Sequence, residues 1–175
     1  MKSPDNFIVS PLNNERYDNM SKVGSGLILS LDKEDYTITN RFGIVIETPI
    51  NYDGAIAKGD TLLVHHNVFR QYYDMAGLER DGNSYFRENM YLVNNEQFFL
   101  YKHGEKWMAI NPFCFIKPIE GEELVGTIRY MNSEMEAMGL VIGDKVLFQP
   151  DSEYEFFIEG EKLYRMFTRN LCLKL

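Results

Sequence analysis

GDTLLV (residues 59–64) and GDKVLF (143–148) are one phrase written twice, and the reading of the fold turns on that repetition. In each, a Gly-Asp turn signal leads into a short apolar run, as expected of a strand entered from a tight turn. The neighbours recur as well. FIVSPL (7–12) matches FCFIKPI (113–119) with Pro11 on Pro118, GIVIE (43–47) matches GTIRY (126–130), and FFLYKHGEKWMAI (98–110) is set against LYRMFTRNLCLKL (163–175). Four landmarks in one order imply two copies of a single unit.

The spacings say where the copies differ. The interval from Gly43 to Gly59 is kept, to within one position, between Gly126 and Gly143. The interval from Pro11 to Gly43 is several times that from Pro118 to Gly126, so the first copy carries a long excess there. Gly59 to Phe98 is likewise nearly twice as far as Gly143 to Leu163, which places a second excess within NVFRQYYDMAGLERDGNSYFREN (67–89).

Strand signals dominate. FIVSPL, FGIVIET, DTLLVHH, MYLVNN, QFFLYK, WMAI, FCFIKPI, GTIRYM, DKVLFQP, YEFFIEG and KLYRMF are short, rich in β-branched and aromatic residues, and separated by Gly, Pro, Asn or Asp. Helical spacing occurs only in VFRQYYDMAGLE (68–79) and NSEMEAMG (132–139), the second opening on an Asn or Ser able to cap it. The expected fold is all-β: two tandem small barrels, OB-like and partly open. The first covers 1–111, with a loop at about 18–40 and an insertion at about 67–89; the second, 112–175, is shortened and lacks the loop.

At 175 residues, 45% hydrophobic and 25% charged, the composition is that of a globular protein. A net charge of −8 opposes binding to a phosphate backbone, so nucleic acid is not expected as a partner. No stretch approaches the ~18 apolar residues of a membrane span, and MKSPDNFIVSPL does not read as a signal peptide; a cytoplasmic location is expected. Cys114 and Cys172 sit among apolar residues without metal-like spacing and are expected to be buried thiols, Cys172 in a last strand.

SKVGSGLILSLDKEDYTITN (21–40) lies within the first excess. Its Leu27, Ile28, Leu29 and Leu31 stand between Gly24 and Gly26 on one side and Asp32, Lys33, Glu34 and Asp35 on the other. Taken alone, this run suits a buried strand. The second copy keeps no equivalent, which an essential strand would require, so an exposed loop carrying its own apolar plug is the better reading.

In order and spacing these motifs resemble the co-chaperonins, GroES-like proteins of the chaperonin-10 type. The loop segment Ser25-Gly26-Leu27-Ile28-Leu29, the strand Gly43-Ile44-Val45 and the turn Gly59-Asp60-Thr61-Leu62-Leu63 carry the likeness. The second copy adds Gly143-Asp144-Lys145-Val146-Leu147-Phe148, Glu159-Gly160-Glu161-Lys162 and Asn170-Leu171. The resemblance implies a chaperone of the folding machinery that caps a chaperonin ring, with Gly26, Leu27, Ile28 and Leu29 as the chaperonin-binding residues of a mobile loop. It implies unfolded substrate protein as a second partner and a homo-oligomeric ring, a heptamer by analogy. No cofactor is implied for this chain, since the partner chaperonin would bind ATP. Two departures stand out: the kept interval between the Gly-x-Val strand and the Gly-Asp turn leaves little room for a roof hairpin, and one copy has no loop.

No catalytic residue is expected, and the chain is not read as an enzyme. His65 and His66 follow a strand in which alternation would send them to opposite faces, and His103 adjoins a glycine turn. Tyr72, Tyr73, Tyr85, Phe86 and Tyr91 could form an interaction surface or pack in a core. Glu120–Glu123 and Asp151–Glu155 read as solvated turns, with the lining of a hydrophilic chamber as the alternative. The rival function is a tandem-barrel structural or assembly protein, for example of a virus particle, using GLIL as an inter-subunit arm. A β-barrel enzyme or ligand carrier is a third reading, which the short strands oppose.

Overall fold

The computed structural model describes residues 1–17 and 39–175. Their strands are β1 (Phe7–Pro11), β2 (Phe42–Glu47), β3 (Thr61–Val64), β4 (Gln71–Tyr73), β5 (Glu79–Asp81), β6 (Tyr85–Arg87), β7 (Met90–Val93), β8 (Phe98–His103), β9 (Lys106–Ala109), β10 (Phe113–Pro118), β11 (Val125–Tyr130), β12 (Lys145–Phe148), β13 (Tyr154–Ile158), β14 (Glu161–Phe167) and β15 (Leu171–Lys174). One α-helix, α1 (Ser133–Ala137), lies between β11 and β12. Of the described residues 47% are strand and 7% helix, which makes the protein all-β.

The chain forms two compact units, Met1–Gly104 and Glu105–Leu175, divided at the turn before β9, where the sequence spacing puts the boundary at 111 and 112. In the first unit the strands lie in the order β6-β7-β1-β2-β3-β8; in the second the order is β13-β14-β10-β11-β12-β15. These are the same antiparallel topology strand for strand. A separate ribbon pairs β4 with β5. None of the three sheets closes into a barrel.

The likeness extends to register. In β1, Val9, Ser10 and Pro11 face Val45, Ile44 and Gly43; in β10, Ile116, Lys117 and Pro118 face Ile128, Thr127 and Gly126. Each ladder shifts at the same step, between Ile8 and Val9 and between Phe115 and Ile116. A bulge lets two successive residues face inward, and Ile8, Val9, Phe115 and Ile116 are all buried. Farther along the same ladders, opposite Pro11 and Pro118, only glycine fits: a Cβ on Gly43 would lie 2.4 Å from Val9 Cγ1, and one on Gly126 2.4 Å from Ile116 Cγ2.

The Gly-Asp turns are also duplicates. Gly59 and Gly143 have φ of 92° and 94°, a conformation open to glycine at no steric cost. The amides of Ala57 and Val141 donate to Asp60 Oδ2 at 2.8 Å and Asp144 Oδ2 at 2.9 Å, and each turn is tied to its sheet by an amide bond from Val45 or Ile128.

The last landmark is corrected by the ladders. Val9 pairs with Tyr91 and Ile116 with Tyr164, while Leu62 pairs with Tyr101 and Val146 with Lys174. Residues 91–102 therefore correspond to 164–175, and the alignment of 98–110 with 163–175 is displaced. The interval to compare with Gly143 to Tyr164 is Gly59 to Tyr91, so the second excess is little more than half of what the spacing to Phe98 implies.

All the strand segments read from the sequence are strands. Asn132 caps α1, its side chain accepting the Met135 amide at 3.0 Å. The helical reading of 68–79 fails, because Asp74 and Gly77 turn the chain and Tyr72 and Tyr73 pair across to Arg80 and Glu79. Each unit has its own core. Phe7, Leu62, Phe69 and Tyr91 lie in the first, and Cys114, Ile128, Met135 and Met166 in the second.

Candidate functional site

Both excess segments belong to the first unit, and their described ends meet. Tyr17 and Thr39 form an antiparallel bridge, so the two ends of the 18–38 segment emerge side by side. Asn40 secures this root: its amide donates to Arg16 O at 2.9 Å, its Nδ2 to Leu12 O at 3.1 Å and Glu15 O at 2.8 Å, and its Oδ1 accepts the Phe42 amide at 2.9 Å. An asparagine serves because its amide can donate twice and accept at once.

The second insertion holds the same root from outside. The Gln71 amide donates to the Tyr17 hydroxyl at 2.9 Å, and Asn89 Nδ2 donates to Asn14 O at 2.9 Å. The Arg16 guanidinium donates to Asp81 Oδ1 and lies over the rings of Tyr85 and Tyr91, at 4.9 and 5.4 Å from their centroids. Gln71 Nε2 reaches the same Asp81 oxygen at 3.2 Å. Although its surroundings remove water, this acid partner holds the Arg16 pKa above its ordinary value.

The ribbon of β4 and β5 is closed by Asp74, whose Oδ1 accepts the amides of Ala76 and Leu78 and whose Oδ2 accepts Arg80 Nε, all at 2.9 Å. These bonds, the Leu78 amide first, hold the Asp74 carboxyl below its usual pKa. Of the five aromatics singled out in the sequence, Tyr72, Tyr73 and Phe86 are exposed, Tyr85 is half-buried, and Tyr91 belongs to the core. Met75 and Leu78 add to the exposed apolar surface of the ribbon.

His65 and His66 lie beyond the end of β3, not within it, so strand alternation does not separate them: their ring centroids are 4.0 Å apart. Burial, then His65, Arg41 and Arg70, lower the His66 pKa to about 4. Between an unfolded value of about 6.5 and that figure, the unfolded chain binds the extra proton. Stability therefore falls as pH drops through this window. His66→Asn is expected to remove part of that slope, on the order of 1 kcal/mol once solvent screening of a partly exposed ring is allowed for. Urea midpoints at pH 7 and pH 4.5 check this; an unchanged difference would show that other groups set the slope.

Elsewhere, His103 Nδ1 contacts Asp60 at 2.9 Å. Cys114 is buried, and its thiol pKa is pushed up to about 12 by that burial, but Cys172 is exposed on β15, contrary to the expected buried thiol. Glu120–Glu123 are exposed. Among the described residues no group of three or more His, Cys, Asp or Glu could hold a metal ion, and no helix is long and apolar enough to cross a membrane.

Gly26, Leu27, Ile28 and Leu29 lie outside the described residues. What sequence reading missed is the root: Arg16, Tyr17, Asn40 and Asp81. The available signal was a strand-forming residue at each end of the excess, Tyr17 and Thr39, as a two-stranded stem requires. No family model and no curated protein matches the sequence.

Proposed function

We propose that the protein is a co-chaperonin, capping a chaperonin ring through Gly26, Leu27, Ile28 and Leu29 and assisting ATP-dependent folding in the cytoplasm. The supporting observation is an asymmetry between like units. Matching strand ends are joined by a short turn, 119–124, in the second copy, and by a long segment with an apolar centre and a hydrogen-bonded root in the first. A structural closure needs no such segment; a docking arm does.

One arm would bind weakly, because ordering its backbone costs about 1 to 2 kcal/mol per residue. Several arms on a homo-oligomeric ring act at high effective concentration, so avidity supplies the affinity. Leu173 and Leu175 are exposed at β15, an edge of the second sheet, and suit contact between subunits. That edge equally favours the second reading, an assembly protein whose arm inserts into a neighbour.

Sedimentation with a GroEL-type chaperonin ring separates the two. Co-sedimentation that requires nucleotide on the chaperonin is expected. Stable self-assembly without binding, even to the chaperonin of the protein's own source, would put the assembly reading first.

A further inference from the structure

We infer that the second insertion is a clamp on the root of the 18–38 segment, with Arg16 and Tyr17 as the positioning residues through which residues 71–91 fix where that segment's ends emerge. The clamp is read from described residues alone; its effect on affinity rests on the arm proposed above.

The geometry argues against an independent appendage. A hairpin added only for its own surface would satisfy its polar groups internally, as Asp74 does at the turn. The opposite end does otherwise. Gln71 and Asn89 direct donors to residues 54 and 75 positions earlier in the chain, and Asp81 takes its guanidinium partner from 65 positions earlier. Asp81 Oδ1 accepts from both Arg16 and Gln71, so backbone and side chains of both insertions form one network. Thr39, across the bridge from Tyr17, is 3% exposed. The second copy lacks the long segment and the ribbon together, as expected if one exists to hold the other.

A held root matters because a docking arm loses entropy with every residue it must order, and a fixed origin lowers that cost. The experiment is amide hydrogen exchange on the full chain, comparing wild type with Asp81→Ala, Tyr17→Phe and the conservative Asp81→Glu. Asp81→Ala and Tyr17→Phe are expected to speed exchange at the Asn40 amide by about tenfold, equivalent to a local loss of roughly 1.4 kcal/mol. The amides of Val9 and Val45 should not change, and Asp81→Glu should restore slow exchange.

Binding to a GroEL-type ring with nucleotide is the second readout, expected to weaken about tenfold in the first two variants with the thermal midpoint moved by only a few degrees. Unchanged exchange at Asn40 overturns the clamp whatever binds. Faster exchange with unchanged affinity overturns the positioning role. If wild type binds no chaperonin, the arm proposal fails, and exchange alone decides the clamp.

Discussion

Gly126→Ala is expected to cost about 3 kcal/mol of stability, the upper part of the range for forcing an atom into a packed site. The added Cβ would stand 2.4 Å from Ile116 Cγ2 and 2.6 Å from Lys117 O. A side-chain methyl can rotate away, but a backbone oxygen held in the β10–β11 ladder cannot. Gly43→Ala should cost less, because its two nearest obstacles, Val9 Cγ1 at 2.4 Å and Phe69 Cζ at 2.9 Å, are side-chain atoms and Ser10 O is 3.2 Å away. Gly139→Ala is the control: its φ is +79° and nothing lies within 4 Å of the new atom, so only backbone strain of about 1 kcal/mol applies. Urea unfolding ranks the three. Equal losses at Gly126 and Gly139 would mean that the β10–β11 ladder leaves room at Gly126, contrary to the packing described.

Leu27→Asp combined with Ile28→Asp is expected, on the co-chaperonin proposal, to abolish co-sedimentation with the chaperonin. Burying each apolar side chain is worth roughly 1.5 to 3 kcal/mol, so each arm loses about 3 to 6 kcal/mol before the cost of placing carboxylates against an apolar groove. Since every tenfold in affinity is about 1.4 kcal/mol, each arm weakens at least a hundredfold. Avidity then multiplies the loss, because all arms of a ring carry the change. The thermal midpoint should stay near that of wild type. Equal binding by the variant, or a large fall in its midpoint, would make the pair packing residues and defeat the proposal.

How far the sequence carried the fold follows from which signals are local. A Gly-Asp turn with an apolar run names both a strand and its entry, and Gly43 and Gly126 mark a close approach, so the first three landmarks found their true partners. The fourth did not. FFLYKHG and LYRMFTR are both short runs rich in aromatic and aliphatic residues, and that composition marks a strand without saying which strand is meant. MYLVNNEQFFLYK was the true partner of LYRMFTRNLCLKL, but its turn, NNEQ, differs from TRN and hid the match. The ribbon of β4 and β5 was missed for a similar reason. Its strands are too short to show a period, and the turn bonds from Asp74 that make it depend on side-chain geometry. Cys172 was misplaced because its apolar neighbours Leu171 and Leu173 read as core, whereas they belong to a strand at the margin of its sheet. The root of the first insertion was marked only by the strand-forming Tyr17 and Thr39 at its two ends, since Arg16, Gln71 and Asp81 are ordinary polar residues until folding brings them together.

The matched ladders on either side of Pro11 and Pro118 carry a design consequence. Two strand ends in one fixed geometry accept either a short turn or a long cargo, and the sheet behind them does not register the difference. Each unit thus behaves as a socket whose contents are interchangeable. The short turn at 119–124 offers a place to graft a second long segment, and with it, on the co-chaperonin proposal, a way to change the valency of the molecule without redesigning its frame.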